Sequence, residues 1–179
     1  MSDNLSRRRY LAGTGAALTI GTLAGCSGGG DGGDGGDGSD GSDGGDGSGG
    51  GGGSAAEDVP SEIDEYLAEA RMYDGTIADF TGQDEVTVEV GAGDVGFAFS
   101  PAAIRIDSST TVVWEWTGVG GAHNVASVEG SESDFNSGDA VSEEGATFEQ
   151  SFDNTGIQLY QCTPHQANGM LGAIEVVEA

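Results

Sequence analysis

The stretch Thr110–Val125, TTVVWEWTGVGGAHNV, carries the pattern that decides the fold. Val112, Trp114 and Trp116 recur at every second position, the period of a strand with one buried face. The run then breaks into TGVGGA, a glycine-rich loop, which delivers His123. Working outward, Val86, Val88 and Val90 repeat the alternation. Phe148 and Phe152 share one strand face, Ile157 and Leu159 another, and Ile174 and Val176 close the series. Gly, Asp, Asn and Ser punctuate these runs, so the expectation is an all-β sandwich. One short helix is expected before it. Ser61-Glu62-Ile63-Asp64 offers a hydroxyl cap and an acid three residues on. Ile63, Tyr66, Leu67 and Ala70 follow at helical spacing, and Gly75 is predicted to end the helix. Trp114 and Trp116, two positions apart on one strand, read as core packing rather than as an electron relay.

Not all of the chain can belong to that sandwich. Residues 27–56 hold 17 of the 35 glycines, with aspartate and serine filling most of the rest. Such a segment cannot bury enough apolar surface to offset the entropy of ordering itself. It lacks the apolar residue that each repeat of a calcium-binding β-roll needs, so it reads as a tether. About thirty such residues have a root-mean-square reach of roughly 30 Å. Residues 57–179 remain as one domain with a single core.

The charge balance excludes some partners. There are 31 acidic residues against five arginines, giving a formal net charge of −26. Arg7, Arg8 and Arg9 lie near the start, so the domain keeps only Arg71 and Arg105. A surface this negative argues against nucleic acid and anionic lipid. It suits a protein kept hydrated in concentrated salt, where the Debye length falls to about 3 Å and long-range steering is screened.

The first residues read as an address. Ser6-Arg7-Arg8-Arg9-Tyr10-Leu11 is similar to a twin-arginine export signal, and the apolar run after it is too short and glycine-rich to span a bilayer. The run ends in Leu23-Ala24-Gly25-Cys26, which resembles a lipoprotein processing site. The expectation is a signal peptide over 1–25, a lipid-modified Cys26 opening the tether 26–56, and a domain held outside the cell membrane.

Cys162 is then the one cysteine of the folded part, within Tyr160–Met170, YQCTPHQANGM. A free thiol in an exported protein asks for a reason. It can be a small buried apolar group or a nucleophile beside a histidine base. Alternatively, a tight loop over Thr163–Gly169 brings Cys162, His165 and Met170 around one point, and the loop after Trp116 adds His123. Two imidazoles, a thiolate and a weak axial thioether form a blue-copper electron-transfer set.

The resemblance is carried by YDGTIADFTGQDEVTVEVG, FAFSPAAIRI, TTVVWEWTGVGGAHNV and YQCTPHQANGMLGAIEVV, which together span most of Tyr73–Val177. In these the sequence resembles the halocyanins, membrane-attached relatives of plastocyanin in the cupredoxin family. The resemblance implies a Greek-key β-sandwich of the cupredoxin type and one copper ion bound by His123, Cys162, His165 and Met170. Asn124 falls on the residue that bridges the two ligand loops, and it is a candidate to tune the cysteine sulfur by hydrogen bonding. His165 would be the electron exit, ringed by Pro164, Ala167, Gly169, Met170 and Gly121-Ala122. The function implied is that of a one-electron carrier, not an enzyme, working as a monomer between redox partners of the membrane respiratory chain. A copper-delivery module is the rival reading. Oxidases and nitrite reductases need further metal sites, and two histidines leave no residues for one.

Overall fold

The computed structural model describes residues 53–179. Among the described residues ten strands form two facing sheets, as the alternation predicts. Strand β1 (Ser54–Ala56) is followed by helix α1 (Ser61–Leu67), then β2 (Ile77–Asp79), β3 (Glu85–Ala92), β4 (Ala98–Ser100), β5 (Ala103–Asp107) and β6 (Thr111–Trp116). The rest are β7 (Ala126–Ser127), β8 (Thr147–Ser151), β9 (Gly156–Gln161) and β10 (Leu171–Val177), with a 3₁₀ helix at Thr163–Asn168. One sheet runs β1-β2-β5-β10-β9-β7 and the other β4-β3-β6-β8. The pairs β3–β6, β2–β5 and β5–β10 are parallel, so the chain crosses over between distant strands instead of meandering.

The period-two residues fill the space between the sheets. Val86, Val88, Val90, Val112, Trp114 and Trp116 from one sheet meet Ile104, Ile106, Tyr160, Ile174 and Val176 from the other. Cys162 and Met170 belong to this same core. Ile157 and Leu159 take the other side of β9, where Leu159 joins Ile63, Leu67, Ile77, Ala103 and Ala173 in a second cluster under α1. The buried residue between them is Gln158, whose Oε1 accepts from Ser131 Oγ and Ser133 N at 3.1 and 2.8 Å. Its oxygen is thus satisfied, while its buried Nε2 has no hydrogen-bond partner among the described residues.

The helix departs from its sequence signals at both ends. Pro60 stands at the cap and no side-chain capping bond forms. The amides of Ile63 and Asp64 donate to the Pro60 carbonyl instead, each at 3.0 Å. The helix stops at Leu67 rather than running toward Gly75, because tertiary contacts claim the next residues. Ala70 N closes a local turn on Leu67 O at 2.8 Å, and Arg71 N then bonds Gly169 O at 2.9 Å, a tertiary contact that turns the chain onto the loop after β9. Strand β1 lies within 27–56, the span expected to be tether, and pairs Ala55 with Ala78. The glycine-rich composition ends just before it, and three residues suffice to add an edge strand.

Arg105 is sequestered in this acidic domain. Its Nε donates to Glu175 Oε2 at 2.6 Å, and Asp58 and Asp79 lie at 3.3 and 3.7 Å. The guanidinium thereby ties the segment before α1 to β2, β5 and β10. The Thr81 amide, the Thr81 hydroxyl and Arg105 hold the Asp79 carboxyl below its ordinary range despite partial burial.

Candidate metal centre

Strand β9 ends at Gln161 and hands Cys162 to the 3₁₀ turn, where Pro164 prevents the strand from continuing. Cys162 N donates to Met170 O at 3.0 Å, His165 N to Cys162 O at 3.0 Å and Met170 N to His165 O at 3.3 Å. The loop is therefore closed at its own neck. Gly169 completes it in the left-handed region, with φ at 80°, and a side chain there would strike the Glu69 carbonyl.

His123 arrives from the loop after β6. Its Nε2 lies 2.8 Å from the carbonyl oxygen of Val119, which only accepts, so Nε2 carries the proton and Nδ1 a lone pair. That lone pair points at His165 Nδ1, 3.0 Å away, and at Cys162 Sγ, 3.6 Å away. Sγ and His165 Nδ1 are 3.4 Å apart. The structure thus brings together three of the four expected ligands, and their donor atoms lie within 4.8 Å of one another. Met170 is fully buried in the same core and bonded through its backbone to both Cys162 and His165. It therefore cannot belong to the exposed rim around His165, which corrects the expectation drawn from the resemblance. Pro164, Ala167, Gly121 and Ala122 are exposed, and Gly169 is half-buried.

This donor set can be tested against a metal. The in-plane point equidistant from the three atoms lies about 1.9 Å from each. That is close to an ordinary metal–nitrogen bond of about 2.0 Å and short of a metal–sulfur bond of about 2.3 Å, so an ion would sit nearer the nitrogens than the sulfur. A buried thiol with two imidazoles and no carboxylate in the group suits a soft or borderline ion and disfavours Mg²⁺ or Ca²⁺. Burial pushes the Cys162 thiol up, while the backbone amides of Asn124 and His165 oppose that by favouring the thiolate. Burial also lowers His123, against the pull of the Val119 carbonyl, and His165 lowers it further. Without metal the His123 lone pair is therefore available near neutral pH.

Asn124 joins the two loops. Its Oδ1 accepts from Thr163 N at 2.8 Å, and its Nδ2 donates to Thr163 Oγ1 and Gly138 O at 3.2 and 3.3 Å. Its side chain is spent on that bridge, so any influence on the sulfur comes from its backbone amide. Phe97 opens the stretch FAFSPAAIRI, whose pattern assigns it no role, yet its ring stacks on His165 with centroids 4.4 Å apart and planes 24° from parallel. It follows Gly96, which touches the Gly120 backbone so closely that a Cβ would fall 2.5 Å from Gly120 N. The small residues let two loops meet, and Phe97 is what that meeting presents to the histidine.

Residues 85–177 match the model of the copper-binding proteins of the plastocyanin/azurin family. The chain belongs to that family. Over 176 residues it is 55% identical to the halocyanin of Natronomonas pharaonis, covering 97% of this chain and 98% of the relative. The plastocyanin of Scenedesmus fuscus is 33% identical over 51% of this chain and 99% of its own length. The solved oxidised plastocyanin of Dryopteris crassirhizoma aligns over 51% of this chain and 99% of its own, at 26% identity and a TM-score of 0.43. This member of the plastocyanin/azurin family is a blue copper electron carrier, and one copper ion is its cofactor.

Proposed function

We propose that the protein is a membrane-anchored one-electron carrier whose copper is held by His123, Cys162, His165 and Met170. The observation that carries this reading is the convergence of two imidazole nitrogens and a buried thiol at one point. Copper supplies the couple, Cu(I)/Cu(II), and the chain supplies a rigid cradle for it. Cys162 comes from a strand end, Met170 from the core, and His123 has its tautomer set by Val119. Such a cradle has little freedom to rearrange between oxidation states.

The surface around the site supports brief docking. The exposed large apolar side chains of the described residues are Met72, Val95, Val119 and Val141. Val119 and Val141 are both bonded through their backbones to His123, and Val95 adjoins the contact between Gly96 and Gly120. Apolar contact of this kind survives strong salt, where charge steering does not. Small interfaces suit redox encounters.

Attachment through a lipid on Cys26, after removal of residues 1–25, belongs to this proposal, as do partners in the membrane respiratory chain and a monomeric carrier outside the cell. Cys26 lies outside the described residues. Among the described residues no helix is long and apolar enough to cross a membrane. Cys26→Ser is expected to move the protein from the membrane fraction to the soluble one, and an unchanged distribution would refute the anchor.

Spectroelectrochemistry of the copper-loaded full chain tests the carrier itself. A reversible one-electron couple with fast self-exchange is expected. A sluggish or irreversible couple would favour copper delivery.

Uptake of copper should also depend on pH in a defined way. The thiol, held above its usual value near 8.5, is protonated at neutral pH, and a ligand sulfur must be a thiolate. Binding then displaces one proton, so apparent affinity rises about tenfold per pH unit until the thiol's own pKa is reached. Competition titrations against a chelator from pH 7 upward measure the slope. A flat profile would remove Cys162 from the ligand set.

A further inference from the structure

Trp114 and Trp116 are both buried, two positions apart on β6, yet their indole nitrogens have different fates. Trp114 Nε1 has no hydrogen-bond partner. Trp116 Nε1–H donates to the carbonyl oxygen of His123 at 3.0 Å, in a fully buried contact. We propose that Trp116 is a positioning residue for His123, and through it for the metal centre; this rests on the reading of His123 as a copper ligand.

The His123 carbonyl accepts twice, from Trp116 and from Val141 N at 2.9 Å, which uses both of its lone pairs. His123 N donates back to Val141 O at 2.8 Å. The same peptide group leads into Asn124, whose side chain reaches Thr163 beside Cys162. Orienting this one peptide therefore orients the His123 ring and the bridge between the loops together. Val141 sits in the long, mostly exposed stretch between β7 and β8. Trp116 sits on a strand paired on both sides, with β3 and β8. The indole is thus the fixed reference that fastens a loop-borne histidine to a sheet. Replacing it by phenylalanine keeps an aromatic ring but leaves a buried carbonyl one donor short.

The test compares Trp116→Phe with Trp114→Phe in the full chain. Both remove indole volume and are expected to lower the melting temperature. Only Trp116→Phe is expected to weaken Cu(I) binding, by about tenfold, and to change the visible and electron paramagnetic resonance spectra. If both variants shift the spectra equally, or neither does, the proposal is overturned. Should Trp116→Phe fail to fold, the unsubstituted protein labelled with ¹⁵N decides. Loading with diamagnetic Cu(I) is expected to shift the Trp116 indole N–H resonance more than that of Trp114, and equal responses would refute the link. His123→Ala separates the two levels of inference. If it retains the blue spectrum, the ligand reading itself is wrong. If it loses that spectrum while Trp116→Phe matches Trp114→Phe, only the role of Trp116 falls.

Discussion

Cys162→Ser is expected to abolish the intense visible band of the copper-loaded protein while the domain stays folded. The thiol is fully buried and its sulfur lies 3.6 and 3.4 Å from the facing histidine nitrogens. Serine is slightly smaller and keeps a polar atom among those nitrogens, so the folding cost is that of one rearranged hydrogen bond, about 1 kcal/mol. The electronic consequence is far larger. A hydroxyl is a hard, neutral donor and cannot provide the thiolate-to-copper charge transfer of a blue site. Visible absorption and electron paramagnetic resonance of the two proteins make the comparison, with circular dichroism confirming the fold. An intense band surviving in the serine variant would mean that the sulfur is not a ligand.

The second large effect concerns stability and lies far in sequence from the residues proposed to bind copper. Leu67→Ala is expected to destabilise the domain by about 2–5 kcal/mol, a large share of the roughly 5–15 kcal/mol that holds a domain together. A helix as short as Ser61–Leu67 has no stability of its own. It exists because Ile63 and Leu67, both with no exposed surface, press on Ala103, Leu159 and Ala173. Alanine at 67 leaves a cavity that a sheet of paired strands cannot collapse to fill. The melting temperature should fall by roughly 10 °C. The helix also touches the site's foundations, since Tyr66 OH donates to Tyr160 O at 2.9 Å, two residues before Cys162. A thermal scan showing a fall of only a degree or two would mean that α1 is an appendage rather than a second core.

Much of this is legible without coordinates. Valines and tryptophans at every second position mark strands because a sheet presents alternate residues to one side. The cysteine, the histidine three residues later and the methionine eight residues later stand on one short loop, so their proximity is a local property of the chain. The same holds for the extreme acidity and for the glycine-rich segment, which are matters of composition.

Other features have no local signal. Neighbouring residues favour Ser61 as the helix cap and Gly75 as its end, but Pro60 caps it and Gly169 draws Arg71 away. The resemblance places Met170 on the rim around His165, yet its backbone bonds with Cys162 and His165 accompany a fully buried side chain. Phe97 lies in a stretch whose pattern says nothing of its role, and it meets His165 where Gly96 and Gly120 let two distant loops touch. Trp114 and Trp116 are indistinguishable by period, and only the position of the His123 carbonyl tells them apart. The sequence by itself determined which residues alternate, which carry soft or nitrogen donors and how closely the loop ligands are spaced, because these are properties of neighbours along the chain. The tertiary structure alone decided which nitrogen of His123 faces Cys162 and His165, what fastens that histidine and which of the candidate ligands are buried, because each depends on a backbone carbonyl or a loop contributed from elsewhere in the chain.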